Sequence, residues 1–227
     1  MSTFSDIQPI ILIDINKPWE KVLSIGTPVS FAARSVITPK DYSVAASGMY
    51  YILRGRIRLS NIATNGQEKV MLYMGKGTLF NEIPMLQIGS DYIFTCMETT
   101  DAVFLPKKRI TPDFIRDHPE LFLNLLDSMS RKSRNFYSQL CGLRAFDSFV
   151  NVCRTIYSMH MFNREHGRVV PRLTQQELAA FLGVHRSSLH KALARLKDEG
   201  IISAYNRMHL DVFQPDRLRE YAEGDDE

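Results

Sequence analysis

The sequence predicts an α+β fold in three parts: an N-terminal β-barrel or jelly-roll domain, a long helix, and a C-terminal winged helix-turn-helix. Three observations predict it. Short strand-like runs fill Thr27 to Pro106, separated by turn residues at near-regular intervals. From Pro112 to Phe162 the only glycine is Gly142, and apolar residues recur at helical spacing. Residues 173–202, LTQQELAAFLGVHRSSLHKALARLKDEGII, read as two helices joined by a tight turn. These changes of texture set the expected parts at 1–110, 111–144 and 145–227.

Residues 1–25 are mixed, with a short helix expected around Trp19–Leu23. Strands are expected at Pro28–Ala32, Tyr50–Leu53, Ile57–Ile62, Lys69–Met74, Tyr92–Met97 and Ala102–Leu105. Between them lie turn signals: Thr38-Pro39, Gly48, Gly55, Asn65-Gly66, Gly75–Gly77 and Gly89-Ser90. Asn65-Gly66 between alternating runs is a strong hairpin signal. Many short strands at this spacing suggest a barrel or jelly roll.

In the helical stretch, positions 122, 126, 129, 133, 136, 140 and 143 hold Phe, Leu, Met, Ser, Phe, Leu and Leu. Alternating steps of four and three make an a/d seam, which predicts pairing with a second copy of the chain. Packing on its own barrel is the simpler use of such a helix, and Leu121, Leu123 and Leu125 supply a second apolar face for it. A break is expected around Leu143–Asp147. Phe149, Val152, Cys153, Ile156 and Tyr157 then form another amphipathic helix, followed by a polar loop at Asn163–Gly167.

In the last part, Leu178, Phe181 and Leu182 share one face, and Leu189, Leu193 and Leu196 repeat the spacing. Thr174 with Glu177 three residues on is a capping box. Gly183 supplies the turn. The second helix presents Arg186, Ser187, Ser188, His190, Lys191 and Arg195; from 174 to 197 there are four Lys/Arg and one acid. That pattern points to double-stranded DNA, with the second helix in the major groove. An ordinary helical hairpin with a solvated face is the alternative. Residues 200–213 disfavour it: Gly200 stops the helix, and Ile201–Ala204 and Met208–Phe213 read as two strands around Tyr205-Asn206-Arg207, a wing.

Whole-chain properties exclude other classes. Net charge is only +3, and 145–219 carries 11 Lys/Arg against 7 Asp/Glu, so DNA affinity must come from local placement of charge. The acidic run Glu220–Glu227 reads as a frayed end. Cys96, Cys141 and Cys153 lie far apart, without zinc spacing and too few for an iron–sulfur site. Pro9–Ile13 is too short for a signal peptide, and no run approaches a membrane span, so the expected location is the cytoplasm.

β-barrel, long helix, hinge and winged helix in this order resemble the CRP/FNR family of bacterial transcription regulators, over nearly the whole chain. The most specific part is LTQQELAAFLGVHRSSLHKALARLKDEGIIS; GMYYILRGRIRLSNIATNGQEKVMLYMGKGTLFNEI is also similar. SDYIFTCMETTDAVFLPKK and the strand Lys69–Gly75 look most like the branch that senses halogenated phenols. The resemblance implies a homodimeric, allosteric regulator without catalytic activity that binds a palindromic operator and works with RNA polymerase. The family reads bases with an arginine, a glutamate one residue later and a second arginine four residues after that. Here those positions hold Arg186, Ser187 and Lys191, so the half-site need not match the family's common ones. Thr174, Gln176, His185 and Ser188 match phosphate-contacting positions, although His185 is a poor helix cap.

Cyclic-nucleotide members carry a Glu and then an Arg-Ser pair in the barrel. Glu82 matches the Glu, whereas Tyr92 and Ile93 stand at the Arg-Ser positions, so a cyclic phosphate lacks its charge partner. All six histidines lie at or beyond His118, which disfavours a barrel haem, and no N-terminal cysteine cluster exists. No cofactor is therefore expected, and the effector is expected to be a small organic molecule. Tyr73 matches a phenol-contacting position and Arg131 the position of the pocket lysine in the phenol-sensing branch. Ser133, the one polar residue in the seam, with Arg131 and Arg134 flanking it, is the expected switch. The competing uses are core for Tyr73 and a solvated helix charge for Arg131. Two rival functions fit the residues less well. A cupin-like enzyme needs a His-rich barrel, and a ligand-binding signalling module without DNA binding leaves the basic second helix unexplained.

Overall fold

The computed structural model describes residues 8–37, 47–62, 68–86, 93–145, 147–165 and 168–224, with backbone alone at 140–145 and 164–165. The chain forms two compact units, one from Ile11 to Ser133, the other joining the N-terminal residues up to Ile10 to Arg134–Glu227. The division falls inside the long helix.

The first unit is a two-sheet β structure. Its strands are β1 (Ile11–Leu12), β2 (Thr27–Phe31), β3 (Val36–Ile37), β4 (Gly48–Arg54), β5 (Arg56–Ile62), β6 (Glu68–Gly75), β7 (Leu79–Phe80), β8 (Ile93–Cys96) and β9 (Thr100–Pro106). One sheet runs β1-β6-β5-β8-β3 and the other β2-β9-β4-β7, a jelly-roll arrangement. The six expected strands are all present within a residue or two. The two-residue strands β1, β3 and β7 were not anticipated, because runs that short carry no period. Asn65-Gly66 and Gly89-Ser90 lie outside the described residues, but β5 and β6 on either side of the former pair antiparallel, with Ile62 opposite Glu68. Gly55 closes the β4–β5 turn at φ +96, and a Cβ there would lie 2.5 Å from Thr100 Oγ1, so only glycine fits.

Around the sheets lie a 3-10 helix (Lys17–Ile25), the short α1 (Glu82–Leu86), a 3-10 turn (Lys107–Arg109) and α2 (Pro112–Asp117). Thr111 caps α2 by accepting from Phe114 N–H, and Pro112 occupies the first turn where its missing N–H costs nothing. The long helix α3 spans Pro119–Ala145. It buries Leu121, Leu125, Ser128 and Lys132, at spacings of four, three and four, against the β unit. Leu121 and Leu125 join Trp19, Met49, Tyr51, Leu79 and Leu105 in one apolar core. Leu123 does not: at 65% exposure it points away, because it sits two residues from each buried neighbour on a helix of 3.6 residues per turn.

The second unit holds α4 (Ser148–Phe162), β10 (Arg164–Glu165), β11 (Arg168–Val169), α5 (Gln175–Leu182), α6 (Arg186–Asp198) and α7 (Pro215–Glu223). The expected break at Leu143–Asp147 is seen as the end of α3 at Ala145 and a restart at Ser148, where Asp147 caps α4 by accepting from Val150 N–H at 2.8 Å. Asn163–Gly167 was expected as a loop; the backbone instead pairs β10 with β11. The tail also differs from expectation. Glu220–Glu223 belongs to α7, whose Leu218 and Ala222 are fully buried, so the apolar face outweighs the local acidity.

Candidate functional site

The two helices α5 and α6 form where the sequence places them. Thr174 and Glu177 make a reciprocal capping box: Thr174 N–H donates to Glu177 Oε2 at 2.6 Å, and Glu177 N–H donates to Thr174 Oγ1 at 3.2 Å. Gly183 ends α5 in the left-handed region at φ 69, and its N–H donates to Ala179 O, so the chain turns at once into α6. α6 buries Leu189, Ala192, Leu193 and Leu196. The opposite side is left to solvent: His185, Arg186, Ser187, His190 and Lys191 are exposed and Ser188 is half-buried. Gln176 is also exposed and Thr174 half-buried. His185 makes no side-chain cap, in keeping with its poor acceptor geometry; its Nδ1 instead lies 3.4 Å from Ser187 Oγ.

A network unannounced by the sequence fixes the far end of α6. Arg195 is exposed, as expected, yet it is not free. Its guanidinium lies 4.1 Å from the Phe149 ring centroid and 5.1 Å from that of Tyr221, and it donates to Glu199 at 2.9 Å. Tyr221 Oη also donates to Glu199 at 2.8 Å, and Arg217 pairs with the same carboxylate at 3.1 Å. Burial pushes the Glu199 carboxyl up, but the hydrogen bonds from Tyr221 and Arg195 and the nearby cations outweigh it and hold it below the usual range. Arg195 is thus a positioning group that joins α6 to α4 and α7. The Arg195–Glu199 pair is one turn apart, but the links to Phe149, Tyr221 and Arg217 are long-range, so local patterning could not reveal the cluster.

The wing is sparser than the expected pair of strands. Single bridges join Ile202 to Val212, Asn206 to His209, and Val169 to Leu210. Side chains complete it: Tyr205 Oη donates to Leu173 O at 2.9 Å, and Asp211 N–H donates to Ser203 Oγ at 2.9 Å. Arg207 and Met208 stand exposed at its tip.

In the β unit, the expected effector residues do not all converge. Tyr73 is fully buried in β6, with the Arg56 guanidinium 5.6 Å from its ring centroid. Glu82 is buried at the start of α1. Tyr92 lies outside the described residues. Arg131, expected as a buried cation, is exposed and donates to Asp127 one turn back at 2.8 Å. Ser133 and Arg134 are exposed too. The buried cation is the next residue, Lys132. Its Nζ donates to Glu82 Oε1 at 2.5 Å and to Leu79 O at 2.7 Å, with both side chains of the ion pair 4% exposed. The difference between the two neighbours is one of helix phase. Lys132 continues the buried row Leu121, Leu125, Ser128, while Arg131 is rotated about 100° away. Asn81 prepares the site by taking a left-handed conformation at φ 69 and donating to Gly48 O at 2.7 Å, which aims α1 at the long helix. Among the described residues no His, Cys, Asp and Glu group could hold a metal ion, and no helix is long and apolar enough to cross a membrane. Cys96 and Cys153 are buried and not in disulfides.

Comparison with known proteins agrees with both halves. Residues 28–112 match the family model of the cyclic nucleotide-binding domain, and residues 151–221 match the Crp-like helix-turn-helix domain. A CRP-like cAMP-activated global transcriptional regulator of Mycobacterium tuberculosis is 27% identical over 174 residues, 72% of this chain and 77% of its own length. The transcriptional regulator SdrP of Thermus thermophilus is 26% identical over 186 residues, 80% of this chain and 88% of its own. Among solved structures, CprK complexed with OCPA superposes with a TM-score of 0.77 at 20% identity, over 94% of this chain and 98% of that one. A CooA mutant from Carboxydothermus hydrogenoformans gives 0.77 at 16% identity, over 93% and 100%. At such identities these structures establish the fold. The matched relatives are transcriptional regulators rather than enzymes. With a cyclic nucleotide-binding fold followed by a Crp-like helix-turn-helix, the chain belongs to the CRP/FNR family of transcription regulators, with an effector-binding domain and a DNA-binding domain.

Proposed function

We propose that the chain works in the cytoplasm as a homodimer that reads a palindromic operator, controlled by a small organic anion and acting on RNA polymerase. On this reading 1–110 senses, 111–144 pairs the two copies and 145–227 binds DNA. The observation that carries it is the solvent-facing row of α6, Arg186, Ser187, His190 and Lys191, over a fully apolar buried face. Arg186 reads a base edge, Lys191 a base or a phosphate, and Thr174, Gln176, His185 and Ser188 hold the backbone. The pairing face is the seam. Phe122 and Leu126 are 43% and 46% exposed, with Met129 and Phe136 half-buried, a run of apolar surface that a second copy would cover.

The effector reading rests on Lys132 and Glu82. Cyclic AMP is the rival, since relatives are named for it. Here Glu82 is already engaged by Lys132, and Ile93 offers a cyclic phosphate no charge. An anion of the halogenated-phenol class, suggested by the likeness to CprK complexed with OCPA, would take Lys132 as its charge partner by displacing it from Glu82. The test titrates operator affinity with o-chlorophenolacetic acid and with cyclic AMP. The aromatic acid should tighten binding by about 5–150-fold, the usual range of such coupling, and cyclic AMP should leave it unchanged. Activation by cyclic AMP alone would overturn the effector assignment.

A further inference from the structure

The chain passes between its two units twice, once inside α3 and once between Ile10 and Ile11. The second crossing is anchored on each side. In the DNA-binding unit, Ser158 of α4 donates its hydroxyl to Gln8 O at 2.6 Å, and Asn135 Nδ2 donates to Pro9 O at 2.9 Å. Both donor residues are buried. In the β unit, β1 pairs parallel with β6, Ile11 opposite Tyr73 and Leu12 opposite Met74. Thr78 Oγ1 donates to Leu12 O at 3.0 Å. The next residue, Leu79, is the one whose carbonyl accepts from Lys132, and its N–H donates to Asn16 Oδ1 at 2.9 Å. Between the two sets of anchors little can stretch. Pro9 has a fixed φ, and Ile10 and Ile11 are β-branched and buried. A hydrogen bond is lost when its partners separate by about 1 Å, so a larger shift on one side either breaks an anchor or reaches the other.

We propose that Gln8–Leu12 is a tether through which the effector unit restrains the DNA-binding unit, with Ser158 and Asn135 as its positioning residues. The proposal rests on the reading above only in taking Lys132 as the group that an effector moves. With Lys132 seated on Leu79 O, the tether is latched. An anion that draws Lys132 away releases Leu79 O beside Thr78 and loosens the hold on Leu12. On the other side, Ser158 shares α4 with Phe149, which meets Arg195 of α6, so a loosened tether lets α4 and α6 shift together.

The test inserts Gly-Ser-Gly between Ile10 and Ile11 of the full-length chain, which keeps every anchoring side chain but adds slack. Amide exchange is compared with and without Ser158→Ala plus Asn135→Ala. In the uninserted chain the paired substitutions should lower protection of Ile11, Leu12 and Tyr73–Leu79. In the inserted chain they should leave that protection unchanged. Equal losses in both chains would overturn the proposal, because the effect then travels along α3; so would no loss in either. Operator affinity is read without effector, on a duplex recovered by binding-site selection. It should rise about 5–150-fold on insertion or on the paired substitutions, and no further when the two are combined. Unchanged affinity, or gains that add, would overturn the tether as a regulator. Inaction of both test compounds would refute the effector assignment and leave these two readouts standing, since neither uses an effector.

Discussion

Replacing Lys132 by Met leaves the Glu82 carboxylate buried without its cation. The pair is 2.5 Å apart with both side chains 4% exposed. At an effective dielectric near 20 the attraction at that distance is about 7 kcal/mol, and desolvating each ion costs several kcal/mol, so the two terms nearly cancel. Removing one partner keeps the cost and loses the gain, and Lys132→Met should destabilise the β unit by about 3–5 kcal/mol. Removing both restores the balance: Lys132→Met with Glu82→Met should recover most of that loss. Urea unfolding followed by Trp19 emission isolates this unit, because the single tryptophan lies within Ile11–Ser133. A loss under about 1 kcal/mol in the single variant, or a double variant no more stable than the single, would refute the reasoning and mean that water reaches the pair.

Three further outcomes are expected. Arg186→Ala should cost about 1–3 kcal/mol of operator affinity and relax selection at one base per half-site, read by binding-site selection; equal weakening on every sequence would make Arg186 a phosphate clamp. Phe136→Glu places a charge against its own copy in the seam and should yield monomer in sedimentation, whereas an unchanged dimer removes the seam. The Glu199 carboxyl is held below its ordinary value of 4.5, so its contribution is complete above that pH and lost as pH falls through the depressed folded value. Protection of the α7 amides, corrected for the intrinsic pH dependence of exchange, should therefore fall in acid, and Glu199→Gln should flatten that dependence.

The helical half was legible because its signals are local. The capping box, Gly183 and the leucine spacing of α6 each have a mechanism that acts within a few residues. The sheet's longer strands were legible by alternation, but β1, β3 and β7 are two residues long and form only because partners are waiting. Arg131 lies exposed, the alternative use considered for it, and the buried cation of the long helix is the next residue, Lys132. The long helix carries two adjacent stripes, the seam from Phe122 and the core row from Leu121. The core row turns polar at Ser128 and Lys132, so its apolar pattern ends where the ion pair begins. Nothing local marks Lys132 as buried, because its partner Glu82 is fifty residues away in sequence. Arg195 is exposed as expected, but its contacts with Phe149 and Tyr221 were not legible, because those rings reach it only through tertiary packing.

The central claim is that two copies of α6 read one operator together. Its most direct test is a mobility shift at physiological salt on palindromes that differ only in half-site spacing. A sharp affinity maximum is predicted where half-site centres lie about one helical turn, ~34 Å, apart. Affinity independent of spacing, or equal for all sequences, would contradict it.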